Sequence, residues 1–129
     1  VYTFETVHQL ISTVSCEISP DKTLTDILRA TFPMGSMTGA PKVKAMELIE
    51  EHEDFKRGIY SGTLGYISPN GDFDFNVIIR TLLYNRSKKY LSCSVGGAIT
   101  INSDAEKEYE ECLTKVKRLI QLFGDDQLN

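Results

Sequence analysis

The amino-acid sequence predicts an α+β protein in which helices pack on an antiparallel sheet. Before about residue 57, apolar residues recur at helical spacing, whereas residues 61–95 are rich in the aromatic and β-branched residues typical of strands. A charged helical pattern then closes the chain. The 129 residues suit one compact domain, which we place at 1–123, with a polar and disordered tail at 124–129.

Three helices are predicted ahead of the sheet. The first covers residues 4–14, where apolar side chains fall on one helical face. The second covers residues 26–31, with Thr25 as its cap and Pro33 as its stop. The third runs from about residue 40 to residue 52, with Pro41 in its first turn.

Three strands are predicted at residues 61–68, 72–84 and 89–95, and residues 99–101 are a candidate fourth strand. The sequence Pro-Asn-Gly at 69–71 predicts a hairpin turn, and residues 85–88 predict a looser one. A meander of three or four strands has two edges that need cover. We therefore expect the chain to belong to a larger assembly and, in isolation, to form a homodimer.

Composition excludes several classes of protein. A net charge of −4 and a pI near 5.2 argue against a general nucleic-acid binder. The cysteines Cys16, Cys93 and Cys112 are widely spaced and odd in number, which favours reduced thiols in the cytoplasm over a disulfide framework or a zinc site. No apolar run approaches the ~18 residues of a membrane span.

The small-residue turn at 35–39 leads directly into the third predicted helix. Backbone N–H groups at such a point favour an anion. Lys42 and Lys44 follow at the start of that helix, and acidic residues lie towards its end, so the charges oppose the helix dipole. This layout is either a functional sign or a set of exposed charges that tolerates the cost.

Arg80 lies in the middle of the predicted strand 72–84. Strand alternation puts Ile78 and Leu82 beside it on the same face. A guanidinium on such a semi-buried face needs an anionic partner, which could be a structural carboxylate or a ligand.

The last predicted helix covers residues 104–123 and begins with a Ser103-x-x-Glu106 capping box. Glu108, Glu111 and Lys115 follow on one face. Two carboxylates one turn apart are suitable ligands for Mg²⁺. The alternative is a solvated face stabilised by an ion pair between Glu111 and Lys115.

Five ordered motifs resemble those of the chorismate-utilising enzymes. They are Gly-Ser-Met-Thr-Gly-Ala-Pro-Lys at 35–42, Arg-Gly-Ile-Tyr-Ser-Gly-Thr-Leu-Gly-Tyr at 57–66, Asp-x-Asn-x-x-x-Arg-Thr at 74–81, Gly-Gly at 96–97 and Glu-x-x-Glu-x-x-x-Lys at 108–115. Within these enzymes the chain is more similar to the aminodeoxychorismate synthases of the para-aminobenzoate branch than to the anthranilate synthases. The resemblance covers essentially the whole chain and implies a partial chorismate-binding, anthranilate synthase-like α/β sandwich.

The resemblance also implies roles for particular residues. The residues expected to contact chorismate are Ser36, Tyr60, Arg80, Gly96 and Gly97. Glu108 and Glu111 would organise Mg²⁺, and Glu108 and Lys115 would act in catalysis. A glutamine amidotransferase subunit would supply ammonia to the full enzyme, which would make 4-amino-4-deoxychorismate or, in the second branch, anthranilate.

Three departures from the family pattern stand out. Gln9 occupies a position where the family often has His, which favours the para-aminobenzoate branch. Ala98 stands where a third glycine is common. The chain resembles only the C-terminal part of a synthase, so we expect it to turn over no substrate alone. A non-catalytic binding or assembly module with the same fold remains the alternative.

Overall fold

The computed structural model describes residues 1–5 and 7–123. The chain divides into two compact units, one of residues 1–31 and one that begins at Phe32. The predicted tail at 124–129 lies outside the described residues. The prediction of a single domain stays a prediction.

The first unit contains a small hairpin and one helix. Strand β1 (Tyr2–Thr3) pairs antiparallel with β2 (His8–Gln9), and Tyr2 lies opposite Gln9. The Phe4 N–H donates to the Val7 carbonyl at 2.9 Å and closes the turn. Helix α1 (Leu24–Thr31) follows after a long segment without regular structure.

The predicted helix over residues 4–14 is wrong. A short amphipathic helix depends on burial of its apolar face, because its intrinsic stability in water is marginal. Here Leu10 is 86% exposed and Val14 is 95% exposed, so that burial is not provided. The β-branched residues in this stretch also favour extended backbone over helix.

Helix α1 begins two residues before the predicted start, and its cap is Thr23 rather than Thr25. The Thr23 hydroxyl accepts from the Asp26 N–H at 3.3 Å. The Asp26 carboxylate in turn accepts from the Thr23 hydroxyl at 2.6 Å and from the Thr23 N–H at 3.0 Å. These bonds form a reciprocal capping box and lower the pKa of Asp26.

The second unit opens with two helices, α2 (Gly35–Thr38) and α3 (Lys42–His52). Helix α3 agrees with the predicted third helix, and Pro41 lies at its cap. The single turn α2 was not predicted. Its end is marked by Gly39, whose φ of +140° and close approach to Ala45 (2.9 Å from an added β-carbon) require glycine.

Four short strands form two antiparallel hairpins. Strand β3 (Thr63–Ile67) pairs with β4 (Phe73–Val77), and β5 (Leu83–Asn85) pairs with β6 (Tyr90–Ser92). Both predicted turns are confirmed. Gly71, at φ +92°, closes the first turn, and the Asn85 side chain accepts from the Lys88 N–H at 3.0 Å in the second.

The long strand predicted over residues 72–84 is wrong, and so is the continuous meander. Strand β4 stops at Val77, and Arg80 adopts a left-handed φ of +51°. The Thr81 hydroxyl donates to the Ile79 carbonyl at 2.8 Å, a local bond that competes with ladder pairing. Residues 99–101 form no strand either, since the Thr100 N–H donates to the Ser103 hydroxyl.

Helix α4 (Ala105–Ile120) closes the unit, followed by a 3₁₀ turn (Gln121–Phe123). Its cap is Asp104, whose carboxylate accepts from the Lys107 N–H at 3.1 Å. The predicted capping box with Ser103 and Glu106 is therefore wrong. Ser103 is one residue too early, and its hydroxyl is bonded elsewhere.

The α+β class is confirmed, since helices and small antiparallel sheets make up the described chain. Little of that chain is buried: in residues 1–5 and 7–123 the buried apolar side chains are Ile78 and Val116. An apolar groove of about 370 Å³ lies between α4 and β6 and includes Cys93, whose thiol pKa is raised by burial. No helix in the described part of the chain is long and apolar enough to span a bilayer.

Candidate functional site

Arg57 ties together two segments that are distant in sequence. Its Nε donates to Glu53 Oε2 at 2.8 Å, and its Nη2 donates to Glu53 Oε1 at 2.5 Å. Its Nη1 donates to the Met37 carbonyl of α2 at 2.8 Å. The fork geometry of arginine allows all of these bonds at once. Hydrogen bonding to Arg57 lowers the pKa of Glu53, and the same contact raises the pKa of Arg57.

Tyr60 lies next to this ion pair. The Arg57 guanidinium carbon is 6.0 Å from the centre of the Tyr60 ring, within the range of a cation–π contact. The Tyr60 hydroxyl approaches Gly96 so closely that an added β-carbon there would lie 3.0 Å away. Burial raises the pKa of Tyr60, so the phenol is protonated at neutral pH and can donate a hydrogen bond.

One face of α4 presents Lys115 and the two glutamates to the same region. Lys115 Nζ donates to the Gly96 carbonyl at 3.0 Å and lies 2.5 Å from Glu111 Oε1. The pairing of Glu111 with Lys115, expected from their spacing, is thus present. Glu108 Oε1 accepts from the Ser103 hydroxyl at 2.6 Å. Glu108 Oε2 lies 2.8 Å from the position of a β-carbon added at Gly97, so a larger residue there would displace this carboxylate.

A cavity of about 350 Å³ lies between these elements. It is lined by Ser36, Met37, Glu53, Phe55, Arg57, Tyr60, Val95, Gly96, Gly97, Ala98 and Lys115. A smaller cleft of about 100 Å³ shares a wall with it and is lined by Met37, Tyr60, Ile79, Arg80, Ser94, Val95, Gly96 and Lys115. Charged, phenolic and backbone groups therefore converge on a space that suits a small polar molecule.

Arg80 lies at the site, but its backbone conformation and exposure differ from those predicted. The residue is exposed, not semi-buried, because its positive φ breaks the strand alternation that would have placed it between Ile78 and Leu82. It nevertheless lines the smaller cleft with Tyr60 and Lys115. No ion pair of Arg80 is found among residues 1–5 and 7–123.

The structure brings most of the predicted site residues together. The larger cavity is lined by Ser36, Tyr60, Gly96, Gly97 and Lys115. Glu108 and Glu111 reach its border through their approach to Gly97 and Lys115. The prediction did not single out Arg57 and Glu53 as a pair. Their i, i+4 spacing at the end of α3 was the available signal.

The two glutamates are the candidate ligands for Mg²⁺. In the described part of the chain, no group of three or more acidic, histidine or cysteine side chains is arranged to hold a metal. One carboxylate oxygen of Glu108 is held by Ser103, and one of Glu111 by Lys115. Such a pair fits Mg²⁺ bound by one or two carboxylates with retained waters, rather than a cage made of protein ligands.

Comparison with known proteins decides the family. The sequence profile for chorismate binding enzyme matches residues 1–121. The chain belongs to the chorismate-binding enzyme family.

Several relatives of this chain are aminodeoxychorismate synthases. Component 1 from Salmonella typhimurium is 44% identical over 117 residues, which is 91% of this chain and 25% of the relative. The aminodeoxychorismate synthase of Streptomyces griseus is 43% identical over 123 residues, 95% of this chain and 17% of the relative. Anthranilate synthase component 1 from Acetivibrio thermocellus is 42% identical over 119 residues, 92% of this chain and 24% of the relative.

These identities confirm the resemblance inferred from the motifs, with aminodeoxychorismate synthases first and anthranilate synthases next. The chain spans about a quarter or less of the length of these relatives. The roles of its individual residues stay predictions.

Proposed function

We propose that this chain is the chorismate-binding part of an aminodeoxychorismate synthase component 1. The proposal rests on which cationic side chains around the two cavities are already paired with a carboxylate. Arg57 is paired with Glu53, and Lys115 is paired with Glu111. Arg80 lines the smaller cleft without such a carboxylate in the described residues. A guanidinium available at a cleft suits a carboxylate of the ligand.

Chorismate is a dicarboxylate, so it needs more than one anion-binding group. Arg80 would take one carboxylate, and the Tyr60 phenol would donate to the same ligand. Backbone at Gly96 and Gly97, together with Ser36, would contact the rest of it. This division of roles is supported by the way these residues line the two adjoining cavities.

Glu108 and Glu111 would hold Mg²⁺, which would supply positive charge to offset the anionic substrate and the departing C4 hydroxyl. Ser103 would fix the Glu108 carboxylate, which we assign as a general acid or base. Lys115 Nζ donates to the Gly96 carbonyl and pairs with Glu111. Once released from these contacts and with its proton passed to Glu108, the amine would attack C2 of the ring as the C4 hydroxyl takes up that proton and leaves as water. Ammonia would then add at C4 and displace the lysine from C2. In the net reaction, chorismate and ammonia give 4-amino-4-deoxychorismate and water.

The full enzyme would draw its ammonia from a glutamine amidotransferase subunit in the cytoplasm. The isolated chain would turn over no substrate, because it aligns with a quarter or less of each synthase. Its many exposed apolar side chains, among them Leu64 and Tyr109, support a need for further protein surface.

A chimera tests the proposal. This chain replaces the matching segment of the Salmonella typhimurium aminodeoxychorismate synthase component 1, and product formation from chorismate and ammonia is followed by chromatography. We expect the chimera to form 4-amino-4-deoxychorismate. In the Arg80→Met variant of the chimera, the dissociation constant for chorismate should rise about a hundredfold. Arg86→Met, at the exposed β5–β6 turn, is the matched control. Equal binding by the Arg80 and Arg86 variants would overturn the assignment of Arg80.

The second candidate is an anthranilate synthase component, favoured by the 42% identity to the Acetivibrio thermocellus relative. The same assay separates the two, since anthranilate would appear in place of the aminodeoxy product when the chain is placed in that relative. Chorismate binding without either product in both chimeras would instead indicate a non-catalytic binding module.

A further inference from the structure

Arg57 is the point at which three parts of the cavity wall meet. Its guanidinium holds Glu53, at the end of α3, and the Met37 carbonyl, which belongs to α2 and neighbours Ser36. Its own backbone carbonyl accepts from the Tyr60 N–H at 3.0 Å. The side chain of Arg57 therefore ties α2 to the same residue whose backbone holds Tyr60.

The hydrogen bonds that Arg57 already makes argue against a direct role in binding the ligand. Both carboxylate oxygens of Glu53 accept from the guanidinium, through Nε and Nη2, and Nη1 donates to the Met37 carbonyl. The pair is largely shielded, with exposed side-chain fractions of 22% for Arg57 and 27% for Glu53. An anion arriving at Arg57 would have to displace a carboxylate that is already held by two bonds.

We propose that the Arg57–Glu53 pair is a positioning clamp that sets the width of the chorismate cavity. The clamp holds α2, with Ser36, at a fixed distance from the Tyr60 ring, so that both can contact one ligand. It acts through Met37 and Tyr60 and touches no reacting atom. The inference rests on the proposed function, because its first test is the binding of chorismate.

The chain contains a natural control for the charge itself. Lys56 and Glu50 form an ion pair close in sequence to Arg57 and Glu53, and their side chains are 80% and 72% exposed. This pair lines neither cavity described above. Lys56→Met removes the same positive charge as Arg57→Met without touching the clamp, and exposed pairs of this kind contribute little stability.

The experiment compares four variants in the Salmonella typhimurium chimera: Glu53→Gln, Arg57→Lys, Arg57→Met and Lys56→Met. The chorismate dissociation constant is measured by calorimetry, and folding is checked by thermal denaturation. A clamp predicts that Glu53→Gln and Arg57→Lys each weaken binding about tenfold, because each loses fork hydrogen bonds to a charged partner. Lys56→Met stays within about twofold of the parent.

The sign of the Glu53→Gln effect separates the clamp from a direct anion receptor. If Arg57 bound the ligand itself, removing its carboxylate partner would free a cation and tighten chorismate binding. Arg57→Lys would then keep most of the affinity, since it keeps the charge. Either of these results overturns the clamp. Glu53→Gln remains informative if the more drastic Arg57→Met variant does not fold.

A second readout needs no ligand. Hydrogen exchange of the Met37 amide, which donates to the Met34 carbonyl at 2.9 Å, reports whether α2 is held in place. The clamp predicts faster exchange at α2 in Glu53→Gln and Arg57→Lys, with unchanged exchange in the β3–β4 hairpin and in Lys56→Met. Unchanged exchange at α2 overturns the clamp. If exchange rises but the parent chimera binds no chorismate, the proposed function fails while the clamp stands.

Discussion

At Gly97 the backbone passes so close to the Glu108 carboxylate that a single methyl group matters. An added β-carbon would lie 2.8 Å from Glu108 Oε2, and the other oxygen is already held by Ser103. The carboxylate can escape only by giving up its present position. Close packing of this kind restricts the position of the Glu108 carboxylate without adding a hydrogen bond to it.

Gly97→Ala therefore tests the metal assignment. We expect the variant to keep its thermal midpoint, because the clash is with the end of a flexible side chain. The Mg²⁺ concentration needed for half-maximal chorismate binding rises about tenfold, as when a partner of a metal ligand is lost. An unchanged Mg²⁺ requirement, measured in the chimera by calorimetry, would remove Glu108 from the proposed metal site.

Helix capping influences how α4 presents the candidate site residues on one of its faces. Asp104 holds the first turn through the Lys107 N–H, which leaves the neighbouring Ser103 hydroxyl available for Glu108. One residue thus stabilises the helix, and the one before it orients a side chain of that helix. A sequence pattern that fits both residues cannot say which of them is the cap, because the answer depends on backbone dihedral angles.

Substitution separates these two roles. Asp104→Ala should lower the free energy of unfolding by ~1 kcal/mol, the usual effect of losing a helix cap. Ser103→Ala should affect stability less and raise the Mg²⁺ requirement more. Chemical denaturation and the Mg²⁺ titration described for Gly97→Ala measure both effects. A larger stability loss in Ser103→Ala would restore the capping box that the sequence predicted.

The β3–β4 hairpin contains a second crowded glycine. A β-carbon added at Gly65 would lie 2.2 Å from the Asp74 carbonyl and 2.4 Å from the Phe75 ring. Because the backbone itself would have to move, Gly65→Ala should cost ~1–3 kcal/mol of unfolding free energy. Leu64→Ala, at the exposed neighbouring position, is the control. Equal denaturation midpoints for the two variants would contradict the observed pairing.

At the scale of the whole molecule, little apolar surface is buried. Ile78 and Val116 are the buried apolar residues of the described chain, while large side chains such as Leu64, Tyr66 and Tyr109 are exposed. Exposed hairpin edges add unpaired backbone groups. We therefore expect the isolated chain to self-associate, as the sequence predicted. Sedimentation velocity at rising concentration measures this, and a monomer at every concentration would contradict it.

The free energy of unfolding should also depend on pH in the acidic range. Hydrogen bonding to Arg57 holds the pKa of Glu53 below its usual value of 4.5. A lowered native pKa stabilises the fold above the unfolded-state pKa, and this contribution is lost as the pH falls through the native value. Unfolding free energy, measured with urea from about pH 6 to about pH 3, should therefore fall less steeply in Glu53→Gln. The pKa of Asp26 is also lowered, so this residue contributes to the pH dependence of the unfolding free energy in both the parent chain and Glu53→Gln.

A matched comparison completes the acid test. Glu50→Gln removes an exposed carboxylate from α3, three residues before Glu53. A slope that changes equally in Glu50→Gln and Glu53→Gln would show that general charge, and not the contact with Arg57, causes the dependence.

The sequence was informative where local chemistry decides the structure. Helix α3, the Pro-Asn-Gly turn and the approximate extent of α4 were predicted, because each depends on signals within a few residues. The break at Arg80 and the extended backbone around Leu10 were not. The first depends on a positive φ and the second on whether an apolar face finds a surface to cover. Neither is visible in residue spacing.

The candidate site shows the same division. Motif order identified Ser36, Tyr60 and Lys115, which the fold brings to one cavity. Spacing alone did not reveal that Arg57 reaches back twenty residues to the Met37 carbonyl. Long-range hydrogen bonds of this kind depend on where α2 and α3 pack. They become predictable only when the tertiary arrangement is known.

The two cavities share one wall, made of Met37, Tyr60, Val95, Gly96 and Lys115. A mutation in this wall is pleiotropic, because it alters both spaces at once and has few ways to improve one without harming the other. Evolutionary divergence between related products should therefore accumulate in the residues that line only one cavity, such as Ser36 and Ala98 on one side and Ser94 and Ile79 on the other. The shared wall would change slowly, and its substitutions would show strong epistasis.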